Sequence, residues 1–188
     1  MPFSPHDDMP ADIRRRAAAV RLLALDVDGT LTDGRILLDG GALELKAFSV
    51  LDGQGLKLAQ RIGIEVALVT ARNSEVVARR ARELGIHEVH QGVRDKRACV
   101  EALLAARGLD GSALAYMGDD LPDLAPMALA GLAVAPSNAH AWVRERAHWR
   151  TRAAGGDGAA RELCDLLIGA QGQADAVLAS FLPPGPAA

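Results

Sequence analysis

Asp26 and Asp28 stand one residue apart, behind the apolar run Leu22–Leu25 and ahead of Gly29. In a strand or its immediate extension, residues i and i+2 share a side. Both carboxylates can therefore converge on one point at the strand's carboxyl end, where open parallel sheets bind ligands. Carboxylates crowded together repel unless a cation or a shared proton compensates. A hard, oxygen-seeking ion such as Mg²⁺ is the natural third party. Thr70 follows the run Glu65–Val69, Gly118-Asp119-Asp120 follows Ala113–Met117, and Lys96 sits at a loop–helix junction. Taken singly, each has a plainer reading: an Asp-Gly turn, a strand-end threonine, a solvated lysine, another turn. Two adjacent acids behind a buried strand are costly without a cation nearby, and the shared address at strand ends outweighs any single motif.

The elements that must position these residues alternate. Leu22–Leu25 is short and apolar, as a strand buried on both faces should be. Residues 1–9 read as a frayed tail, and Pro10 to Val20 as a short helix starting at its proline. Arg35-Ile-Leu-Leu38, Asp39-Gly-Gly41 and Ala42 to Phe48 read as a β-hairpin around a glycine turn. The next helix is expected to open at about Gly53 and stop at Gly63. Strands are expected at Glu65–Val69, Glu88–His90, Ala113–Met117 and Leu132–Val134, with a last edge strand at His148–Thr151. Between them the pattern predicts a helix over Glu75–Leu84, capped by Ser74 and closed by Gly85. Others are expected from about Asp95 to Arg107, from Pro126 to Gly131, over His140–Ala147, and over 159–170 with Leu163, Leu166 and Leu167 inward. The alternation predicts α/β architecture, a doubly wound, mostly parallel Rossmann-like sheet with a hairpin insertion after the first strand. The expected division is a tail and short helix at 1–19, one folded domain at 20–171 with its insertion at about 35–48, and a flexible tail at 172–188.

Nearly half of the 188 residues are apolar and the formal net charge is −3, a balance that favours neither nucleic acid nor a disordered chain. No apolar run reaches the roughly 18 residues of a membrane span, and no signal peptide is expected ahead of the fold. Cys99 and Cys164 lack metal-ligand spacing and read as reduced core thiols of a cytoplasmic protein.

Asp26-Val-Asp28-Gly-Thr30, taken with Val69-Thr70, Lys96 and Gly118-Asp119-Asp120-x-x-Asp123, resembles the haloacid dehalogenase-type phosphatase superfamily. The run Asp26 to Gly34, the segment Glu44-Leu-Lys-Ala-Phe48 and Ala154-Gly-Gly-x-Gly158 resemble one branch, the 3-deoxy-D-manno-octulosonate 8-phosphate (KDO 8-phosphate) phosphatases. The likeness covers about Arg21 to Gln171. It implies Mg²⁺-dependent phosphoric monoester hydrolysis in lipopolysaccharide precursor synthesis, by way of an aspartyl phosphate. Asp26 would be the nucleophile and Asp28 the acid and then the base. Thr70 and Lys96 would meet the phosphoryl oxygens. The Asp26 side chain, the Asp28 backbone carbonyl and Asp119 would hold the metal, while Asp123 reads as a residue holding the loop. Substrate contacts would come from Asp28, Lys96, the segment Ser49-Val50-Leu51-Asp52-Gly53, Lys57, Arg72 and Arg80, because a guanidinium grips a sugar carboxylate well.

Three motifs depart from the branch. Its Asn-Val-Arg-Asp-Gly stands here as Ser49-Val50-Leu51-Asp52-Gly53, its Thr-Gly-Arg as Thr70-Ala71-Arg72 and its Gly-Gly-Arg-Gly as Gly155-Gly156-Asp157-Gly158. All three bear on substrate recognition rather than on the nucleophile, acid or metal. A phosphatase for a related nine-carbon keto-sugar acid stays open as an alternative. A response-regulator receiver fits worse, since its acidic pair follows the first strand, and a catalytically dead relative would not keep Asp26, Asp28, Lys96 and Asp119. The resemblance further implies no cap domain and a homotetramer, in which Ile36, Leu38, Leu43 and Leu45 are buried between subunits and a neighbour, with the glycine-rich tail, covers each site.

Overall fold

The computed structural model describes residues 9–38 and 44–183. In chain order its elements are α1 (Ala11–Ala18), β1 (Leu22–Leu25), β2 (Leu37–Leu38), β3 (Glu44–Leu45), α2 (Val50–Arg61), β4 (Glu65–Val69), α3 (Glu75–Leu84) and β5 (Glu88–His90). There follow α4 (Lys96–Arg107), β6 (Leu114–Met117), α5 (Leu124–Met127), β7 (Leu132–Ala135), α6 (Ala141–Arg146), β8 (Trp149–Arg150), α7 (Ala159–Ala170) and α8 (Ala174–Ala179). Six strands make one sheet in the order β5-β4-β1-β6-β7-β8, and every pairing is parallel. The chain winds outward from β1 in one direction, then returns and winds outward in the other. The switch point therefore lies at the carboxyl end of β1, between β4 and β6.

Alternation along the strands sorts the core into two layers. Leu23 and Leu25 point into the layer formed by α1, α2, α3 and α7, where Ile13, Leu56, Val77 and Leu163 are buried. Leu22, Ala24 and Tyr116 point the other way, against Val100, Leu103 and Val143 of α4 and α6. All four β1 residues are buried, as a strand covered on both faces requires.

Local signals set most boundaries. The Ser74 and Asp95 side chains accept first-turn N–H groups of α3 and α4, and Gly85 and Gly108 end those helices in left-handed conformation. Three expectations need correction. Helix α2 begins at Val50, three residues ahead of Gly53, with Ser49 as its cap. Gly53 and Gly55 lie inside it because Arg80 and Arg161 pack where a side chain would stand. The helix expected from Pro126 to Gly131 is α5 at Leu124–Met127, with Pro126 in its first turn, and it follows a 3-10 turn over Leu121–Asp123 that holds Pro122. Residues 174–179, expected in a flexible tail, form α8, none of whose residues is buried. Of the hairpin, Leu37 pairs with Leu45 and Leu38 with Glu44, antiparallel. Its expected glycine turn and Leu43 lie outside the described residues.

Candidate active site

Asp26 extends β1 by one residue, its N–H donating to the Met117 carbonyl of β6 at 2.9 Å. That bond fixes the first carboxylate at the switch point. The chain then turns sharply through Gly29, whose φ of +91° favours glycine. A Cβ there would also run into the Asp119 carboxylate. Thr32 ties the loop together, its hydroxyl oxygen accepting from the N–H groups of Gly29 and Gly34. Thr30 donates its hydroxyl to Asp119 Oδ1 at 3.2 Å, joining the loop after β1 to the loop after β6. Gly155 packs so closely on the Gly29 carbonyl that no side chain fits, and the Gly156 N–H donates to the Thr30 carbonyl. Within a single chain, the glycine-rich segment thus braces this loop.

Lys96, the first residue of α4, is buried and lies 2.8 Å from Asp26 Oδ1 and 2.7 Å from Asp123 Oδ1. Asp123 Oδ1 also accepts the Tyr116 hydroxyl at 2.8 Å. Its Oδ2 accepts the N–H groups of Asp119 and Asp120 at 3.1 and 3.2 Å. All four lone-pair directions of that carboxylate are thereby used, and Asp123 holds the loop, as the sequence reading expected. Tyr116, the one tyrosine of the chain, was not singled out from sequence: nothing about a lone tyrosine in a buried strand marks it as a support for an acid seven residues on.

Oxygens of Asp26, Asp119 and Asp123 lie within 4.8 Å of one another. Burial, and then the charge of Asp123, lifts Asp26 to about 6 against the pull of Lys96. Burial, and then the charges of Asp26 and Asp123, lifts Asp119 to about 7. Burial works against the Lys96 charge, but Asp26 and Asp123 more than offset it and raise its pKa. The site thus carries more negative charge than Lys96 alone balances. With Asp123 saturated, Asp26 and Asp119 are the carboxylates left to meet a cation, and an all-oxygen set of this kind fits Mg²⁺.

Residues 85–163 match the model of the haloacid dehalogenase-like hydrolases. The chain is 45% identical over 165 residues to 3-deoxy-D-manno-octulosonate 8-phosphate phosphatase KdsC of Escherichia coli, covering 88% of each chain. The chain belongs to the haloacid dehalogenase-like hydrolases. Among solved structures, this hydrolase superposes on a hypothetical protein of Xanthomonas campestris with a TM-score of 0.94 and 54% identity, over 97% of this chain and 100% of that one. It superposes with a TM-score of 0.89 and 41% identity on the Moraxella catarrhalis KDO 8-phosphate phosphatase, solved in complex with magnesium, phosphate and KDO. That match covers 91% of this chain and 98% of the other. By its relatives, the hydrolase falls in the KDO 8-phosphate phosphatase branch.

The residues expected at the substrate end are less uniform. Thr70 is buried at the end of β4. Arg72 is half-exposed, with Nε 3.9 Å from Asp28 Oδ2. Ser49 is occupied as the α2 cap, accepting from the N–H groups of Leu51 and Asp52, while Val50 and Leu51 are exposed. Asp52 turns inward instead: its carboxylate accepts the N–H groups of Gly158 and Arg161 and so caps α7 from across the fold. Gly53 lies under the Arg80 guanidinium. Arg80 itself donates to the Ser49 carbonyl at 3.1 Å and lies over the Phe48 ring. Lys57 is exposed on α2, about two turns from its start. The structure adds Lys46, which was not a candidate. Its side chain is wholly buried and its ammonium contacts Asp28 Oδ1 and lies 3.3 Å from Glu44 Oε1.

Proposed function

We propose that this hydrolase removes the phosphate of KDO 8-phosphate, releasing the free sugar acid and inorganic phosphate for lipopolysaccharide precursor synthesis. The observation that carries this reading is the convergence of Asp26, Lys96 and Asp119 at the switch point of a chain 45% identical to a phosphatase of that name.

Asp26 attacks phosphorus and takes the phosphoryl group as an aspartyl phosphate, so that one difficult displacement becomes two easier ones. Lys96 brings a fixed positive charge, and Thr70 a hydroxyl, to the phosphoryl oxygens. Asp28 gives a proton to the departing sugar oxygen, then takes one from the water that hydrolyses the acyl phosphate. The Asp26 side chain, the Asp28 backbone carbonyl and Asp119 would hold Mg²⁺. Bound there, Mg²⁺ supplies the positive charge that keeps Asp26 ionised and offsets its repulsion by the phosphate. Arg72 is the guanidinium for the sugar carboxylate, and its half-exposed position beside Asp28 supports that role. The exposed first turn at Ser49–Leu51 borders the sugar, with Asp52, Gly53 and Arg80 shaping that turn from beneath; Lys57 extends the same face.

A homotetramer in the cytoplasm completes the reading. Among the described residues no helix is long and apolar enough to cross a membrane. Ile36, Leu37 and Leu45 of the hairpin expose apolar surface, and a two-stranded hairpin is marginal alone. Light scattering should give a mass near four chains, and deletion of 36–47 smaller, weakly active species; a fully active monomer would count against it. Phosphate release should be measured with Mg²⁺ across a panel of sugar phosphates. KDO 8-phosphate is expected to be the preferred substrate, and preference for a nine-carbon keto-sugar acid phosphate would overturn the assignment.

A further inference from the structure

Asp28 lies on the loop after β1, yet one of its oxygens is held from another part of the chain. The Lys46 ammonium sits on Oδ1, with no exposed side-chain surface. Lys46 is in turn flanked by Glu44 Oε1 at 3.3 Å. Glu44 Oε2 accepts the Ser74 hydroxyl at 2.6 Å, and Ser74 is the cap of α3. A buried ammonium is costly to desolvate, and two carboxylates offset that cost here. The other oxygen of Asp28 is differently placed. Its charged neighbour, Arg72 Nε, is 3.9 Å away, beyond hydrogen-bond reach.

We propose that Lys46 is a positioning residue for the proton transfer, clamping Asp28 Oδ1 from the hairpin so that Oδ2 is the oxygen left to face the departing group. This rests on the phosphatase reading and on the acid role of Asp28 within it. As the phosphorus–oxygen bond to the sugar breaks and the bond to Asp26 forms, the proton on Asp28 Oδ2 passes to the sugar oxygen. In the second half, the attacking water returns a proton to the same Oδ2 as its oxygen bonds to phosphorus and the Asp26 carboxylate is released. The Glu44–Ser74 contact anchors the clamp to the start of α3, so the hairpin bears on the acid as well as on any subunit contact.

The test compares two substrates on the intact protein with Mg²⁺. The poor leaving group of KDO 8-phosphate needs the proton, whereas 4-nitrophenyl phosphate loses a stable phenolate without it. Lys46→Met is expected to lower kcat/KM about 10- to 100-fold on the sugar phosphate, within the range of general acid catalysis, and less than about threefold on the aryl ester. Asp28→Asn should also lose more kcat/KM on the sugar phosphate than on the aryl ester, while lowering kcat on both through the shared second half, and Lys46→Arg, which keeps charge and donors, should recover most of the sugar-phosphate activity. If Lys46→Met does not fold, Lys46→Gln is read by the same ratio. Selective loss in Asp28→Asn with equal losses in the Lys46 variants would overturn the clamp alone. Equal losses in Asp28→Asn would overturn the acid role, and the clamp with it.

Discussion

The two ends of this site, the one proposed to meet the phosphoryl group and the one proposed to meet the sugar, are built differently. At the phosphoryl end, Asp26, Lys96, Asp123 and Tyr116 form one continuous buried chain of charge-assisted contacts, all at 2.7 or 2.8 Å. Asp26, Lys96 and Asp123 stand at or just beyond a strand or helix end, and Tyr116 is the next-to-last residue of β6. At the sugar end, Arg72 is half-exposed, Val50 and Leu51 are exposed, and Lys46 arrives from a hairpin of two residues per strand. A buried charge is tolerated only when its partners are fixed, so the chemical machinery is locked into the core. Recognition, on the proposed reading, is left nearer the surface, where a few side-chain changes can adjust it. That fits the departures at Leu51, Ala71 and Asp157, none of which is a member of the buried chain.

The contrast can be broken or sharpened by experiment. The largest effect is expected at the nucleophile: Asp26→Asn should cut turnover by roughly 10³-fold or more while the protein still unfolds cooperatively. Near-normal phosphate release would remove the aspartyl phosphate from the mechanism.

Next comes the excess negative charge. Asp26 at about 6 and Asp119 at about 7 lie above the roughly 3.9 of an unfolded aspartate. The metal-free native protein therefore keeps protons that the unfolded chain releases. That contribution is full below about pH 4 and is lost as pH rises through 6 and 7. Mg²⁺ competes with protons for the same carboxylates, so its stabilising shift in Tm should be larger near pH 8 than near pH 5.5. Equal shifts at the two pH values would contradict the assignment of Asp26 and Asp119 to the metal.

Tyr116→Phe takes one of the two donors from Asp123 Oδ1 and should cost about 1–3 kcal/mol in urea unfolding, with kcat changed far less than in Asp26→Asn. A stability unchanged by the substitution would mean that the buried chain is looser than its distances imply. Asp52→Ala should cost about 1 kcal/mol through the lost cap of α7 and leave KM for the sugar phosphate nearly unaltered. Arg72→Ala is expected to do the opposite, raising KM with a stability change within about 0.5 kcal/mol. If Asp52→Ala raised KM as much as Arg72→Ala, the inward turn of Asp52 would not be its only role.

Residues that punctuate the chain locally were legible from sequence. Ser74, Gly85 and Asp95 bound their helices by bonds that reach only three or four residues, and the apolar runs of β1 and β4 announce burial on both faces. Asp26, Asp119 and Lys96 could be picked out because chemistry-bearing residues at the ends of parallel strands have one place to meet. Tertiary packing decided the rest. Gly53 and Gly55 look like a helix start in sequence, yet they lie inside α2 because Arg80 and Arg161 fill the space beside them. Asp52 reads as a surface acid beside a substrate, but its partners, Gly158 and Arg161, are more than a hundred positions away. Lys46 reads as an ordinary hairpin lysine until folding sets it against Asp28. The sequence by itself determined the alternation of strands and helices and which carboxylates stand at strand ends, since those follow from periodicity and short-range bonds. Which oxygen of each carboxylate is held, and by which distant donor, was decided only when the loops and the hairpin closed over the strand ends, because such contacts have no period along the chain.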